Sequence, residues 1–245
     1  MPIISTLGAS SARSFIDSKN IAAQRIVALL DPDKLPDPHF QNVELLVHSD
    51  NTDGSTLFKD NSFLPKKIVA KGNIHHSTST SKFGKSSILL ENIGDYLEIY
   101  VVSIPEFTDF TIEGTFSLSS FSKSGELTIL VSQNNSCGLF IYNTGKNSAL
   151  CWYNGSTIEC MTSEISLNTL YHFAATRAGS NIRVFLDGKA GPVYSSWHMS
   201  DINITNVGGN SENSIKGNIE EIRITNRIAR YTSNFISPIE VFSDG

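Results

Sequence analysis

A chain of 245 residues with 40% hydrophobic content is long enough to bury one substantial core, and all-β sandwiches of about 200–250 residues commonly form a single domain. Its net charge of −5, without a cluster of Lys and Arg, argues against a nucleic-acid partner gripped through its phosphates. No run of about 18 apolar residues exists, so no insertion into a membrane is expected.

The opening stretch, Met1-Pro-Ile-Ile-Ser-Thr-Leu-Gly8, has neither a basic leader nor an apolar core, so no signal peptide is expected. Residues 1–38 differ in texture from the rest and read as an N-terminal arm. Three prolines in Asp31-Pro-Asp-Lys-Leu-Pro-Asp-Pro38 break regular structure and favour an extended linker. Ahead of it, Asp17 and Ser18 could cap a short helix over Ile21–Leu30, and the same residues would also serve as an added strand. The arm carries Ile3, Ile4, Phe15, Ile26, Val27, Leu29 and Leu30. Exposed apolar residues of this kind point to assembly, with neighbouring copies or another protein as the partner. The alternative is that the arm covers its own sandwich as an edge strand.

From residue 39 onward one β-sandwich domain is expected. The pattern has a period of two, interrupted by Gly, Asn, Asp and Ser clusters. In Phe110–Ser119 one face holds Phe110, Ile112, Phe116 and Leu118, and the other holds Thr111, Glu113, Thr115 and Ser117. The expectation is one buried and one wet face. Further strands are predicted at Glu126–Gln133, Gly138–Asn143, Ala149–Tyr153, Thr157–Met161, Leu170–Arg177, Asn181–Leu186, Ile202–Val207 and Ile219–Thr225. This spacing suits a sandwich or jelly roll of antiparallel sheets.

Cys137, Cys151 and Cys160 have no metal-type spacing, and buried reduced thiols are the first expectation. A two-residue Asn154-Gly155 turn would set Cys151 and Cys160 diagonally, too far for an unstrained bridge. A four-residue loop would set them opposite one another. The histidines, including His48, His75, His76, His172 and His198, read as surface or packing residues. Glu220 and Glu221 are adjacent, so a regular strand would point them to opposite faces as solvated charges.

The stretch Leu170–Gly188 reads as two strands around Ala-Gly-Ser-Asn, followed by Val207-Gly-Gly-Asn210 and then Lys216–Phe235 with its Ile228-Ala-Arg-Tyr-Thr232 turn. With Asn42–Asp60, Lys82–Leu90 and Gly94–Leu97, this order resembles the laminin-G-like branch of the concanavalin A-like lectin/glucanase superfamily over roughly residues 40–240. The resemblance implies a concanavalin A-like jelly roll of two antiparallel sheets. Ser49 stands where the family usually has Phe or Leu, and Glu91-Asn92 where it has Asp-Gly. A glucanase of this superfamily would carry a Glu-x-Asp-x-x-Glu triplet, which this chain lacks, so no enzymatic activity is expected.

The resemblance also implies a calcium ion held at the rim by oxygen ligands, for which Asp50, Asn51 and Asp53 are candidates, with Asp60 and Asp95 elsewhere. Turn formation is the competing role for the first three. A sugar site would need an aromatic platform beside Asn or Asp. Candidates are Trp152, Tyr153 and Asn154, and then Trp197 with Asp201. Because Trp152 alternates with its neighbours, either it or they face outward; core packing is the weightier expectation for each aromatic.

The opening Pro2–Gly8 and the ending Ala229–Phe235 are similar to structural proteins of tailed bacteriophages and cyanophages. That similarity implies a virion component (tail fibre, collar, baseplate or capsid surface), made in the host cytoplasm, homo-oligomeric and bound to other virion proteins. A host glycan or receptor is the alternative partner, met by the loops 134–138, 145–148 and 211–216.

Overall fold

The computed structural model describes residues 36–244 apart from 146–147, 162–163 and 196–199. The arm residues Ile3, Ile4, Phe15, Ile26, Val27, Leu29 and Leu30 lie outside the described residues. Among the described residues no helix is long and apolar enough to cross a membrane.

The chain runs through β1 (Val43–Val47), β2 (Ile68–Lys71), β3 (His75–Ser77), β4 (Ser87–Leu90), β5 (Tyr96–Ile104), β6 (Phe110–Ser120), β7 (Leu127–Gln133), β8 (Cys137–Asn143), β9 (Ser148–Tyr153), β10 (Ile158–Cys160), β11 (Tyr171–Ala178), β12 (Asn181–Leu186), β13 (Lys189–Ser195), β14 (Ile202–Val207) and β15 (Lys216–Asn226). The strands make two antiparallel sheets. One has eight strands in the order β13-β12-β11-β6-β15-β4-β3, with β1 also pairing β15; the other has seven in the order β10-β9-β8-β7-β14-β5-β2. Residues 38–245 form one compact unit, and the sandwich is as the sequence predicts. The strands β1 to β5 and β13 were not among those predicted; the last is interrupted by Gly191-Pro192. It is tolerated as a sheet edge, where a missing N–H costs no ladder bond.

The core lies between the sheets. Phe110, Ile112, Phe116, Phe173, Ile222 and Ile224 from the larger sheet meet Leu97, Val102, Leu130, Leu139, Leu150 and Trp152 from the smaller. In β6 the inward position between Ile112 and Phe116 is Gly114. A Cβ there would lie 2.7 Å from Ile222 Cδ1 and 2.9 Å from the Phe173 ring, so the glycine makes the room that these two larger side chains fill.

The other face of β6 corrects the expectation of a wet surface: Thr111, Glu113, Thr115 and Ser117 are all buried. The chain after β15 returns across this face as a strap. Arg223 Nε donates to Glu113 Oε1 at 2.9 Å and its Nη2 lies 2.8 Å from the same oxygen. The Tyr231 hydroxyl donates to Oε2 at 2.8 Å, His172 Nε2 lies 3.4 Å from Oε2, and Arg230 Nε lies 3.8 Å from Oε1. Arg230 also donates its backbone N–H to Thr111 Oγ1 at 2.9 Å. Tyr231 stacks on Phe235 at 3.6 Å between ring centroids. Burial opposes the Glu113 charge, but Arg223, then His172 and Arg230, hold its carboxyl down at about 2.

A bulge corrects the second expectation. Glu220 pairs with Thr115 and Arg223 with Glu113, so two residues oppose Gly114, and Glu221 takes the left-handed φ of 55°. The extra residue puts Glu220 and Glu221 on the same outward face, where both are buried. Glu220 accepts backbone N–H groups of Lys82, Phe83 and Gly84 at 2.6, 3.0 and 3.0 Å, which tethers the β3–β4 loop. Glu221 Oε2 accepts the Phe242 N–H at 2.9 Å.

His48 is not a lone packing residue. Its Nδ1 lies 2.9 Å from Glu221 Oε2 and its Nε2 2.8 Å from Asp244 Oδ1. Only an imidazolium donates from both nitrogens. Burial works against that charge, but Glu221 and then Asp244 raise the His48 pKa to about 9.

Two outcomes follow from these networks. Glu113→Gln removes the buried charge at the centre of this cluster and should cost about 3–5 kcal/mol in chemical denaturation. In the unsubstituted protein the Glu113 contribution is present above its ordinary value of 4.5 and lost as pH falls through about 2. The His48 contribution has the opposite sign: it is complete below 6.5 and lost as pH rises through about 9. The fall in melting temperature across that alkaline window should be smaller in His48→Ala; an equal fall would remove His48 as its source.

Candidate functional site

The strand β5 turns Leu97, Ile99, Val102 and Ile104 into the core, which leaves Tyr96, Glu98 and Tyr100 on the opposite side. Tyr100 is 75% exposed, and Val101 beside it 43%. Lys67 and Val69 adjoin them through the β2 edge, where the Tyr100 N–H donates to Lys67 O at 2.9 Å. Across β14, the β7–β8 turn brings Asn134 and Asn135, and the loop after β14 brings Asn210, Ser211 and Glu212. Together these residues line a cavity of about 610 Å³.

Its asparagines are held in place by one another. Asn206 Oδ1 accepts the Asn134 N–H at 3.3 Å and the Thr205 hydroxyl at 2.6 Å. Asn210 Oδ1 accepts the N–H groups of Glu212 and Asn213 at 2.9 and 2.8 Å, and its Nδ2 donates to Asn135 Oδ1 at 2.8 Å. Asn134 sits at φ 48°, a conformation that asparagine tolerates better than most residues. The arrangement offers an exposed ring beside fixed amide groups, which suits a ligand with apolar faces and hydroxyl edges.

A larger cavity of about 890 Å³ adjoins it and shares Asn135 and Glu212. Phe121, Lys123 and Glu126 line it from the β6–β7 connection, Phe140, Tyr153 and Ile158 from β8–β10, and Asn213–Lys216 from the β14–β15 loop. Two loops that the sequence analysis singled out, 134–138 and 211–216, therefore border both cavities. Of the third, Ser148 reaches the larger one. Tyr96, Tyr100 and Asn206 were missed, although the alternation of Leu97 and Ile99 with Tyr96, Glu98 and Tyr100 carries the signal.

The individually predicted residues are not brought together. Trp152 is 1% exposed and packs 5.5 Å from Phe110, so it is a core residue and not a sugar platform. Tyr153 lines the larger cavity, with its hydroxyl donating to Gly155 O at 2.9 Å. Asn154 closes its own turn by accepting the N–H groups of Ser156 and Thr157 at 3.0 and 2.8 Å. Asp201 fixes the β5–β6 loop through the Glu106 N–H at 2.7 Å. Trp197 lies outside the described residues.

That Asn154–Thr157 loop has four residues, which sets Cys160 opposite Cys151 with Cα atoms 4.0 Å apart, and the two form a disulfide. This corrects the expectation of three reduced thiols. Cys137 remains a thiol, pushed up to about 12 by burial.

The candidate calcium ligands serve the loops. Asp50 accepts the Lys85 N–H at 3.1 Å, Asn51 Oδ1 the Thr52 N–H at 2.8 Å, and Asp53 the Thr78 N–H at 2.9 Å. Asp60 accepts the N–H groups of Leu46, Ser62 and Lys66. Asp95 accepts those of Asn73, Asn92 and Glu91; burial opposes its charge, and these three donors hold its pKa below the ordinary value. Among the described residues no group of three or more His, Cys, Asp or Glu is placed to hold a metal ion.

Residues 91–230 match the family profile described as concanavalin A-like lectin/glucanases superfamily, of the laminin G type. No curated protein sequence matches the chain. Among solved structures, the binding domain of Paraclostridial Mosquitocidal Protein 1 superposes with a TM-score of 0.57 at 16% identity, covering 78% of this chain and 50% of that one. Domain 4 of AbnA, a GH43 extracellular arabinanase from Geobacillus stearothermophilus in complex with arabinotriose, superposes with 0.56 at 14% identity, covering 77% and 94%. The binding domain of botulinum neurotoxin DC in complex with rat synaptotagmin II superposes with 0.53 at 10% identity, covering 76% and 48%. At these identities the likeness is one of fold.

The disulfide beside the larger cavity gives a direct test. It closes a loop of nine positions, for which chain-entropy arithmetic gives roughly 2.5 kcal/mol. Reduction, or Cys151→Ser with Cys160→Ser, should lower stability by up to that amount in a urea titration, and Cys137→Ser should not reproduce the loss.

Proposed function

This chain belongs to the concanavalin A-like lectin/glucanases superfamily, and from that premise we propose that it is a non-enzymatic glycan-binding module displayed on a phage particle. The observation that carries the binding role is the cavity in which the exposed Tyr100 stands beside the fixed amides of Asn135, Asn206 and Asn210. A ring of this kind stacks on the apolar face of a sugar while amides and backbone groups bond its hydroxyls. The structural neighbours lend support by analogy of fold: one is crystallised with arabinotriose, and two are described as binding domains.

The non-enzymatic half is supported by the fate of the carboxylates. Glu220 and Glu221 are sequestered from both cavities. Of the three acids lining them, Glu98 pairs with Lys71 at 3.1 Å, Glu126 caps its own turn through the Lys123 N–H at 3.2 Å, and Glu212 stands where the two cavities meet. Glycoside cleavage needs two carboxyl groups flanking one bond, one as acid and one as base or nucleophile.

The virion setting is supported by the likeness of Pro2–Gly8 and Ala229–Phe235 to tailed-phage structural proteins. In that reading the protein is made in the host cytoplasm, assembles with copies of itself and with other virion proteins, and presents the cavities to a host surface. Locating the chain in purified particles by electron microscopy tests the setting.

Tyr100→Ala should weaken binding to host-surface glycans by about tenfold, the loss of one stacking contact, without lowering the melting temperature of the purified protein. Undiminished binding by the variant would remove this cavity as the site.

A further inference from the structure

We infer that the two cavities act as one groove for an extended, uncharged glycan chain, gripped along its length and not at a single terminal sugar. The inference rests on the glycan-binding reading above and adds the length and charge of the ligand.

The cavities share Asn135 and Glu212 in their walls, so they lie side by side at one rim of the sandwich. Their volumes, about 610 and 890 Å³, each exceed the roughly 300 Å³ at which small-molecule sites begin. One sugar ring would leave most of either empty. Each cavity has an apolar contact open to solvent: Tyr100 is 75% exposed in the smaller, and Phe121 38% in the larger. A chain of several sugars could therefore stack at two separated points. The charges that line the pair balance, with Lys67, Lys123 and Lys216 against Glu98, Glu126 and Glu212. A groove built for sulfated, sialylated or uronic chains would carry an excess of cations to meet the ligand's charge. Asparagines take that place here.

The test is calorimetric titration of the full chain with defined fragments of neutral linear polysaccharides (glucan, xylan, arabinan and mannan), each as disaccharide and as hexasaccharide, with polygalacturonate fragments as the charged comparison. A hexasaccharide should bind at least about tenfold more tightly than its disaccharide, as expected when a second stacking contact is added. Phe121→Ala should abolish that gain, whereas Tyr100→Ala should weaken binding at both lengths. Equal affinity at both lengths, or a gain that survives Phe121→Ala, would overturn the groove and leave the smaller cavity as the site. Stronger binding of the polygalacturonate fragments would overturn the uncharged class. Absence of binding to every fragment at either length would overturn the glycan reading itself.

Discussion

Glu113 has no exposure to solvent, yet it keeps its charge, and much of the architecture outside the core follows from that. Burying a carboxylate costs several kcal/mol unless opposite charge and hydrogen bonds replace the lost water. The replacements come from far along the chain: His172 from β11, Arg223 from β15, and Arg230 and Tyr231 from the strap that follows β15. The eight-stranded sheet is thus closed on its second face by electrostatics and aromatic stacking, while its first face is closed by hydrophobic burial. Removing one partner leaves the Glu113 carboxylate with fewer groups to replace its lost water, so the strap and the sheet depend on each other.

The bulge at Glu221 extends the same device. One additional residue in β15 aligns Glu220 and Glu221 with Arg223 on the outer face, where the first anchors the β3–β4 loop and the second, with His48, anchors the chain's last residues. Arg223 meets the Phe242 ring at 4.0 Å, so the Glu221 anchor is continuous with the Glu113 cluster. The smaller cavity lies on strands and loops of the smaller sheet, and the larger one at the rim where the ends of β6 and β15 meet it.

Much of the fold was legible because period-two burial is a local signal. Strands β7 to β12, β14 and β15 lie where the alternation puts them, with ends moved by a few residues, while Ile228-Ala-Arg-Tyr-Thr232, expected as a turn, forms part of the strap. The reading failed where polarity and burial separate. Thr111, Glu113, Thr115 and Ser117 look like a wet face, because nothing in β6 itself announces that Arg230 and Tyr231 will return to cover it. Trp152 was a two-way choice on alternation, and only the facing Phe110 decided it. The Cys151–Cys160 pairing turned on whether the hairpin loop has two residues or four, and Asn154-Gly155 is compatible with either.

The sequence by itself determined the class of fold, most of the strands from β6 onward and the loops at its rim, since alternation, turn residues and the spacing between them act over a few neighbours. The tertiary structure alone decided which faces are dry, where the bulge falls, how the buried charges are paired, and that Tyr96, Tyr100 and the asparagines meet in one cavity. Those outcomes depend on contacts between residues that are distant in the chain, where burial and charge pairing override the preference of each side chain taken alone.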